Sequence, residues 1–216
     1  MSRPVDAASL VILRGDPQAP DVLLGRRRAT ARFMPGAYVF PGGAVDPPDI
    51  DLGNSPEWQG TRFHAAAIRE TWEETGLMIA AEGPLPDCAP RDNPFFARLE
   101  TDGRVPAAED LRYIVRAITP EPSPIRFDTR FFLAPESVAS GEAHAVGELP
   151  EVMWVPAAQA LTSDRLRGVT KFVLSQALEL WLDRERLDSP SRPIRLFTWV
   201  DGTRLIQKQA QEDGLL

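Results

Sequence analysis

The run Arg69-Glu70-Thr71-Trp72-Glu73-Glu74-Thr75-Gly76-Leu77 constrains this chain more than any other segment. Thr61 to Thr75 has helical character, with Ala65-Ala66-Ala67 in its middle and Gly76 as a C-terminal stop. On a helix, positions i, i+3 and i+4 share one face. Glu70, Glu73 and Glu74 therefore project together over an arc of about a quarter turn or slightly more. Three like charges so placed repel, and a purely structural helix would intersperse lysines; none occurs nearby. The small Ala66 and Ala67 leave room beside the cluster for a ligand, while Ile68 and Trp72 lie on the opposite face and can anchor the helix to a sheet. Clustered hard oxygen ligands are what Mg2+ or Mn2+ requires. Alone, three glutamates read first as a solvated acidic face, so the surrounding residues must decide.

Those surroundings read as an α+β chain. Ala8–Leu13 and Asp21–Gly25 look like a hairpin, Ala37–Phe40 like a strand running into the tight Pro41-Gly42-Gly43 turn, and residues 46–60, with three prolines and two glycines, like loop. Leu77–Ala81 returns to the sheet. Residues 82–108 read as a long irregular insertion with a short helix near Pro94–Glu100. Leu111–Ile118, Arg130–Ala134 and Val152–Val155 are further strands, with Phe131, Phe132 and Trp154 as core. A helix begins at Pro156, Val169–Arg186 is an amphipathic helix, and Pro193–Gln207 is a ribbon turning at Asp201-Gly202. Without regular β-α-β alternation, the pattern points to an α/β/α sandwich around a mixed sheet. All 216 residues are expected in one domain, with insertions near 46–60 and 82–108 and a C-terminal helical extension over 162–216.

A net charge of -7 gives no electrostatic reason to expect a nucleic-acid partner. No apolar run is long enough to span a bilayer and no secretory leader is evident, so no membrane is expected and the expected location is cytoplasmic. The single cysteine, Cys88, reads as a free thiol. His64 and His144 are too few and too scattered for zinc, and His64 reads as structural. The apolar stripe around Trp181 suits burial in the fold or a homodimer.

With Phe40-Pro41-Gly42-Gly43 upstream and Gly76 behind it, the glutamate helix resembles the Nudix hydrolases, whose signature is G-x5-E-x7-R-E-U-x-E-E-x-G-U with U aliphatic. Gly43 matches the first glycine, Arg69-Glu70 the R-E pair, Glu73-Glu74 the E-E pair, and Gly76-Leu77 the close. The resemblance implies that Glu70, Glu73 and Glu74 bind a divalent cation, Mg2+ or Mn2+, and that Arg69 braces loop and helix. Two departures stand out. Thr71 fills the aliphatic slot, and 25 residues separate Gly43 from Arg69, an insertion of 12. Counting forward from Gly43 puts the outer acid at Asp49; counting back from Arg69 puts it at Thr61; Asp46, Asp51 and Glu57 are further candidates.

The stretch from Leu23 to Gly43 also resembles a motif of the coenzyme A diphosphatases, L-L-T-x-R-[SA]-x3-R-x3-G-x3-F-P-G-G. Arg27, Arg32, Gly36 and Phe40–Gly43 fit, while Gly25 and Arg28 replace the threonine and the small residue. Phe33-Met34-Pro35-Gly36 and Arg126–Phe132 look most like the acyl-CoA-hydrolysing branch. The resemblance implies a CoA-like diphosphate substrate, contacted by Arg27, Arg32, Gly42 and Gly43, giving (acyl-)phosphopantetheine and adenosine 3′,5′-bisphosphate. Guanidiniums suit phosphate bidentately; the plain alternative is a solvated arginine-rich edge. NADH or ADP-ribose pyrophosphatase and a silent nucleotide sensor are the rival readings. The proton acceptor is open among Glu73, Glu74, Glu142 and Glu148.

Overall fold

The fold is built outward from strand β1 (Val5–Arg14), because its apolar residues are continuous rather than alternating. Ala8, Leu10 and Ile12 enter the core on one face of the sheet, and Val11 and Leu13 enter a second core on the other. A strand buried on both sides needs partners on both edges. β1 pairs antiparallel with β2 (Asp21–Arg26) and parallel with β8 (Phe127–Pro135), in register from Val5↔Phe127 to Leu13↔Pro135. The computed structural model describes residues 3–31, 34–121 and 123–215. Among these, β3 is Tyr38–Val39, β4 Gly42–Ala44, β7 Arg112–Ile118, β9 Glu151–Pro156, β10 Ile194–Val200 and β11 Thr203–Gln209. The main sheet runs β11-β10-β7-β8-β1-β2-β3, with β4 also on β1 and β9 also on β2.

Helices α1 (Pro47–Gly53), α2 (Arg62–Thr75) and α3 (Pro94–Asp102) cover the first core; α4 (Ala157–Thr162), α5 (Gly168–Leu182) and α6 (Arg184–Asp188) cover the second. This is the expected α+β sandwich on a mixed sheet. No helix among the described residues is long and apolar enough to cross a membrane.

Several expectations change. Residues 46–60 are not all loop: Asp46 and two prolines start α1, and the Asp49 carboxylate accepts the Asp46 N–H at 2.9 Å. Leu77–Ala81 does not return to the main sheet. Its end forms β5 (Ala80–Glu82), which pairs only with β6 (Arg104–Pro106) in a separate ribbon. The 82–108 insertion is thus ordered: Asn93 caps α3 by accepting the Phe95 N–H at 2.9 Å, Pro94 opens it and Gly103 (φ 64°) closes it. It meets the other insertion where Trp58 Nε1 donates to Pro106 O at 2.8 Å. The expected helix over 169–186 breaks at Asp183, and the C-terminal extension is helical only in part. Its hairpin β10–β11 joins the main sheet through β10, parallel to β7. Ala66 and Ala67 are fully buried and leave no room for a ligand. Ile68 is buried as expected, and Trp72 packs on the same core with its ring 5.8 Å from that of Phe95 of α3.

His64 is structural. Its ring lies 4.5 Å from that of Phe132, and Nδ1 receives the Thr61 N–H (3.3 Å) and hydroxyl (2.9 Å). Burial lowers its pKa to about 4. The proton is then favoured in the unfolded chain. This group costs nothing above pH 6.5, removes up to about 3 kcal/mol between pH 6.5 and 4, and levels off below that. An NMR titration should place the His64 ring midpoint near pH 4; a midpoint at the ordinary value of about 6.5 would mean that the ring is hydrated and the burial wrong.

Candidate active site

α2 is capped by Thr61 at its start and by Gly76 at its end, where Gly76 takes a left-handed φ of 74° and returns its N–H to Trp72 O at 2.9 Å. The C-terminal half of this helix faces the turn into β4. There the Gly42 N–H donates to Glu74 Oε2 at 2.9 Å. A Cβ on Gly43 would stand only 2.5 Å from Cδ of Glu70, and one on Gly42 (φ 151°) would strike Ser9 and the Ala8 carbonyl. Gly43 is required for backbone to approach the Glu70 carboxylate this closely, and Gly42 for the turn to lie on β1.

Arg69 organises the cluster. It is 2% exposed, and all five of its N–H groups are engaged. Nε and Nη2 clasp Asp49 at 3.0 and 2.8 Å. The second Nη2 proton goes to Ala44 O at 3.0 Å, and Nη1 divides between Glu70 (2.8 Å) and Glu73 (3.0 Å). Burial works against the charge on Arg69, but Asp49, Glu70 and Glu73 outweigh it and raise its pKa. One guanidinium facing three carboxylates leaves negative charge in excess, with Glu74 adding to it. Burial raises Glu70 to about 7 against the pull of Arg69, raises Glu73 in the same way, and raises Glu74 to about 8 against the Gly42 N–H. The cluster is short of positive charge.

That shortage and the donor chemistry fit a hard divalent cation. Among the described residues, no three acidic, cysteine or histidine side chains already stand as a metal-binding group, and Arg69 Nη1 bridges Glu70 and Glu73. Among the described residues, each of Glu70, Glu73 and Glu74 nevertheless uses only one oxygen on a protein donor. The other oxygen of each is left for an incoming cation.

The position left open by counting is occupied by Asp49. It is fully buried and holds Arg69 bidentately, whereas Thr61 caps α2 beside His64. The extra residues therefore follow Asp49. Asp46 is exposed, 3.6 Å from Arg69 Nη2; Asp51 and Glu57 line a separate depression with Cys88, which is a free, exposed thiol. The available sequence signal was the forward count from Gly43, reinforced by Asp46-Pro47-Pro48 as a helix start.

The opposing wall is only partly as expected. Arg27 lowers the pKa of Glu74 and Glu148 raises it, both by charge alone, so both charges lie near enough to the cluster to act on it. Arg26 is taken up by Glu151 at 3.0 Å, and Arg28 Nη2 reaches Gly147 O at 3.5 Å. Arg32 lies outside the described residues. Glu142 contributes its carbonyl to His144 Nδ1 at 2.8 Å. Phe132 is fully buried core, Phe131 nearly so, and Trp154 is half-buried with the Arg14 guanidinium 4.2 Å above its ring.

A model of the NUDIX domain matches residues 3–173 of the chain. A protein of Caenorhabditis elegans, "Putative nudix hydrolase 7", is 32% identical over 146 residues, covering 62% of this chain; the chain spans 46% of that protein's length. The crystal structure of a NUDIX hydrolase from Alicyclobacillus acidocaldarius superposes with a TM-score of 0.71 at 30% identity, over 88% of this chain and 97% of the other. A bifunctional NMN adenylyltransferase/ADP ribose pyrophosphatase from Francisella tularensis, solved with AMP and a Mn ion, shares the fold at TM-score 0.53 and 16% identity, over 84% of this chain and 43% of the other.

Removing the Asp49 carboxylate leaves the buried Nε and one Nη2 proton of Arg69 without acceptors. Asp49→Ala should lower the unfolding free energy by about 3–5 kcal/mol, while Thr61→Ala loses a helix cap worth about 1 kcal/mol. Urea unfolding of both variants measures the difference. Equal losses would return Thr61 to contention as the brace.

Proposed function

Because this chain belongs to the NUDIX domain family, we propose that it is a divalent-cation-dependent hydrolase of a diphosphate linkage in a nucleoside diphosphate derivative. The observation carrying this reading is the Arg69 cluster: three carboxylates held on one helix face against the Gly42-Gly43 turn, with one oxygen each to spare and too little positive charge. Glu70, Glu73 and Glu74 would hold Mg2+ or Mn2+. When bound, the cation supplies neutralisation of phosphate oxygens and polarisation of phosphorus.

The remaining roles fall to the chain. Arg69 sets the carboxylates and does not meet substrate, being buried with all its donors used. Gly43 lets the Glu70 carboxylate lie against the turn, and Gly42 fixes that turn on β1 while its N–H holds Glu74. Arg27 is the wall guanidinium for phosphate oxygens. Glu148, exposed and facing Glu74, is the acceptor for the proton of the attacking water. We assign residues 1–216 to one domain, with 46–60 and 82–108 as insertions and 162–216 as an extension.

For substrate we favour CoA or acyl-CoA, supported by Arg27 ahead of the Phe40–Gly43 turn; Arg32 completes that motif in sequence. ADP-ribose is the second reading, supported by the fold shared with the ADP ribose pyrophosphatase. Chromatography of products from CoA, an acyl-CoA, NADH and ADP-ribose with Mg2+ or Mn2+ decides. Adenosine 3′,5′-bisphosphate from the CoA substrates is the expected product, and Glu73→Gln and Glu74→Gln should each lower the rate on the order of 10²-fold or more. Arg27→Ala should raise KM about tenfold with little change in kcat. Cleavage of only NADH or ADP-ribose would overturn the CoA assignment and keep the site.

A further inference from the structure

We propose that Leu149 is a positioning residue that holds Glu148 against the carboxylates of α2, with Gly25 as its socket; this rests on the hydrolase reading above. The segment 139–149 crosses the C-terminal end of α2 before entering β9. Its first part is tied there by backbone hydrogen bonds: Met78 N to Ser140 O at 2.9 Å, Ser140 N to Met78 O at 2.8 Å, and His144 N to Thr75 O at 3.0 Å. The last tie is Val146 N to the carbonyl of Glu74 itself, at 3.1 Å. Up to Val146, therefore, the segment is in register with the carboxylate helix.

The second anchor is on the sheet. Leu149 is 3% exposed, while Gly147, Glu148 and Pro150 on either side of it are open to solvent. Its side chain lies over Gly25 of β2. A Cβ at Gly25 would run into Leu149 Cδ1, with Cγ and Cδ2 at 3.1 and 3.2 Å. Val22, Leu23 and Leu24 fill their places on β2 with bulk, so Gly25 is the gap in that strand. Arg27 is two residues further along, just past the end of β2. The glycine that departs from the threonine of the CoA-type motif thus has a physical function here: it admits Leu149 beside the substrate-facing arginine.

Only Gly147 (φ 64°) and Glu148 lie between the two anchors. So short a span has little freedom, and the charge of Glu148 is kept where Glu74 feels it. Among the described residues no hydrogen bond or ion pair engages the Glu148 carboxylate, which leaves it able to accept a proton from water. Displacing a group by an ångström or so costs up to about 10²-fold in rate.

The test is a double-mutant cycle on the substrate the wild type cuts, with kcat and KM separated. Leu149→Ala should lower kcat between about tenfold and 10²-fold with KM nearly unchanged, and Leu149→Met, which refills the socket, should recover most of it. In a Glu148→Gln background Leu149→Ala should add nothing. An equal loss in both backgrounds, or a Glu148→Gln variant with wild-type kcat, overturns the proposal. Hydrogen exchange gives a readout that needs no turnover: Leu149→Ala should speed exchange at Gly147 and Glu148 and leave Met78 and Ser140 unchanged. Unaltered exchange also overturns it. Should the wild type cleave no diphosphate, the hydrolase reading fails, and the exchange result still decides whether Leu149 holds the span.

Discussion

One buried guanidinium sets the geometry of everything around the candidate site. Arg69 sits on the middle of α2 with no water to satisfy it, so each N–H must find an oxygen from the chain. The five it finds belong to α1 (Asp49), β4 (Ala44) and its own helix (Glu70 and Glu73). Three successive elements of the chain, β4, α1 and α2, are thereby held in one arrangement. A buried ion cluster of this kind contributes less to stability than to uniqueness, because removing any member strands the others. The excess of carboxylate over guanidinium is what makes the cluster suited to the divalent cation proposed for it.

The rest of the molecule protects that arrangement. The two insertions, separate in sequence, form one layer on the outer side of α2: Trp72 stacks on Phe95, and Trp58 reaches across to Pro106. Their apolar residues enter the same core as Phe63 and Ile68. On the far edge the hairpin β10–β11 lengthens the sheet. Arg130 secures the last residues described, donating to Gly214 O at 2.6 Å and Asp6 at 3.0 Å with its guanidinium 3.9 Å above the Phe63 ring. The helix that carries the carboxylates is thus packed against both insertions and the sheet, and the charges of Arg27 and Glu148 act on its Glu74.

Much of this was legible in the residues alone, for stated physical reasons. The period of the glutamates, the glycine stop at Gly76 and the Gly42-Gly43 turn are local features, and local features survive translation into structure. The strands of the central sheet were legible because β1, β2 and β8 are apolar on both faces. Helix α1 was missed because two prolines and a glycine in seven residues resemble a loop until the Asp46 cap is recognised. The partner of Leu77–Ala81 is not legible, because an apolar run says that it is buried and not against what. Ala66 and Ala67 were read as space because small side chains are compatible equally with a cavity and with close packing.

What the sequence by itself determined was the inventory: which helix carries the carboxylates, which arginine accompanies them, which glycines let backbone come close. What only the tertiary structure decided was pairing across the insertions. Asp49 and Thr61 are equivalent to a count along the chain, but only one of them reaches the Arg69 guanidinium, because α1 folds back across it. Glu142 and Glu148 are two acids of one loop, yet the hydrogen bond from Val146 to Glu74 and the seat of Leu149 over Gly25 bring one of them to the cluster. Side-chain direction along an element is set by the backbone's own period. Distance between elements is set by which surfaces bury each other, and that is written nowhere in a single stretch of chain.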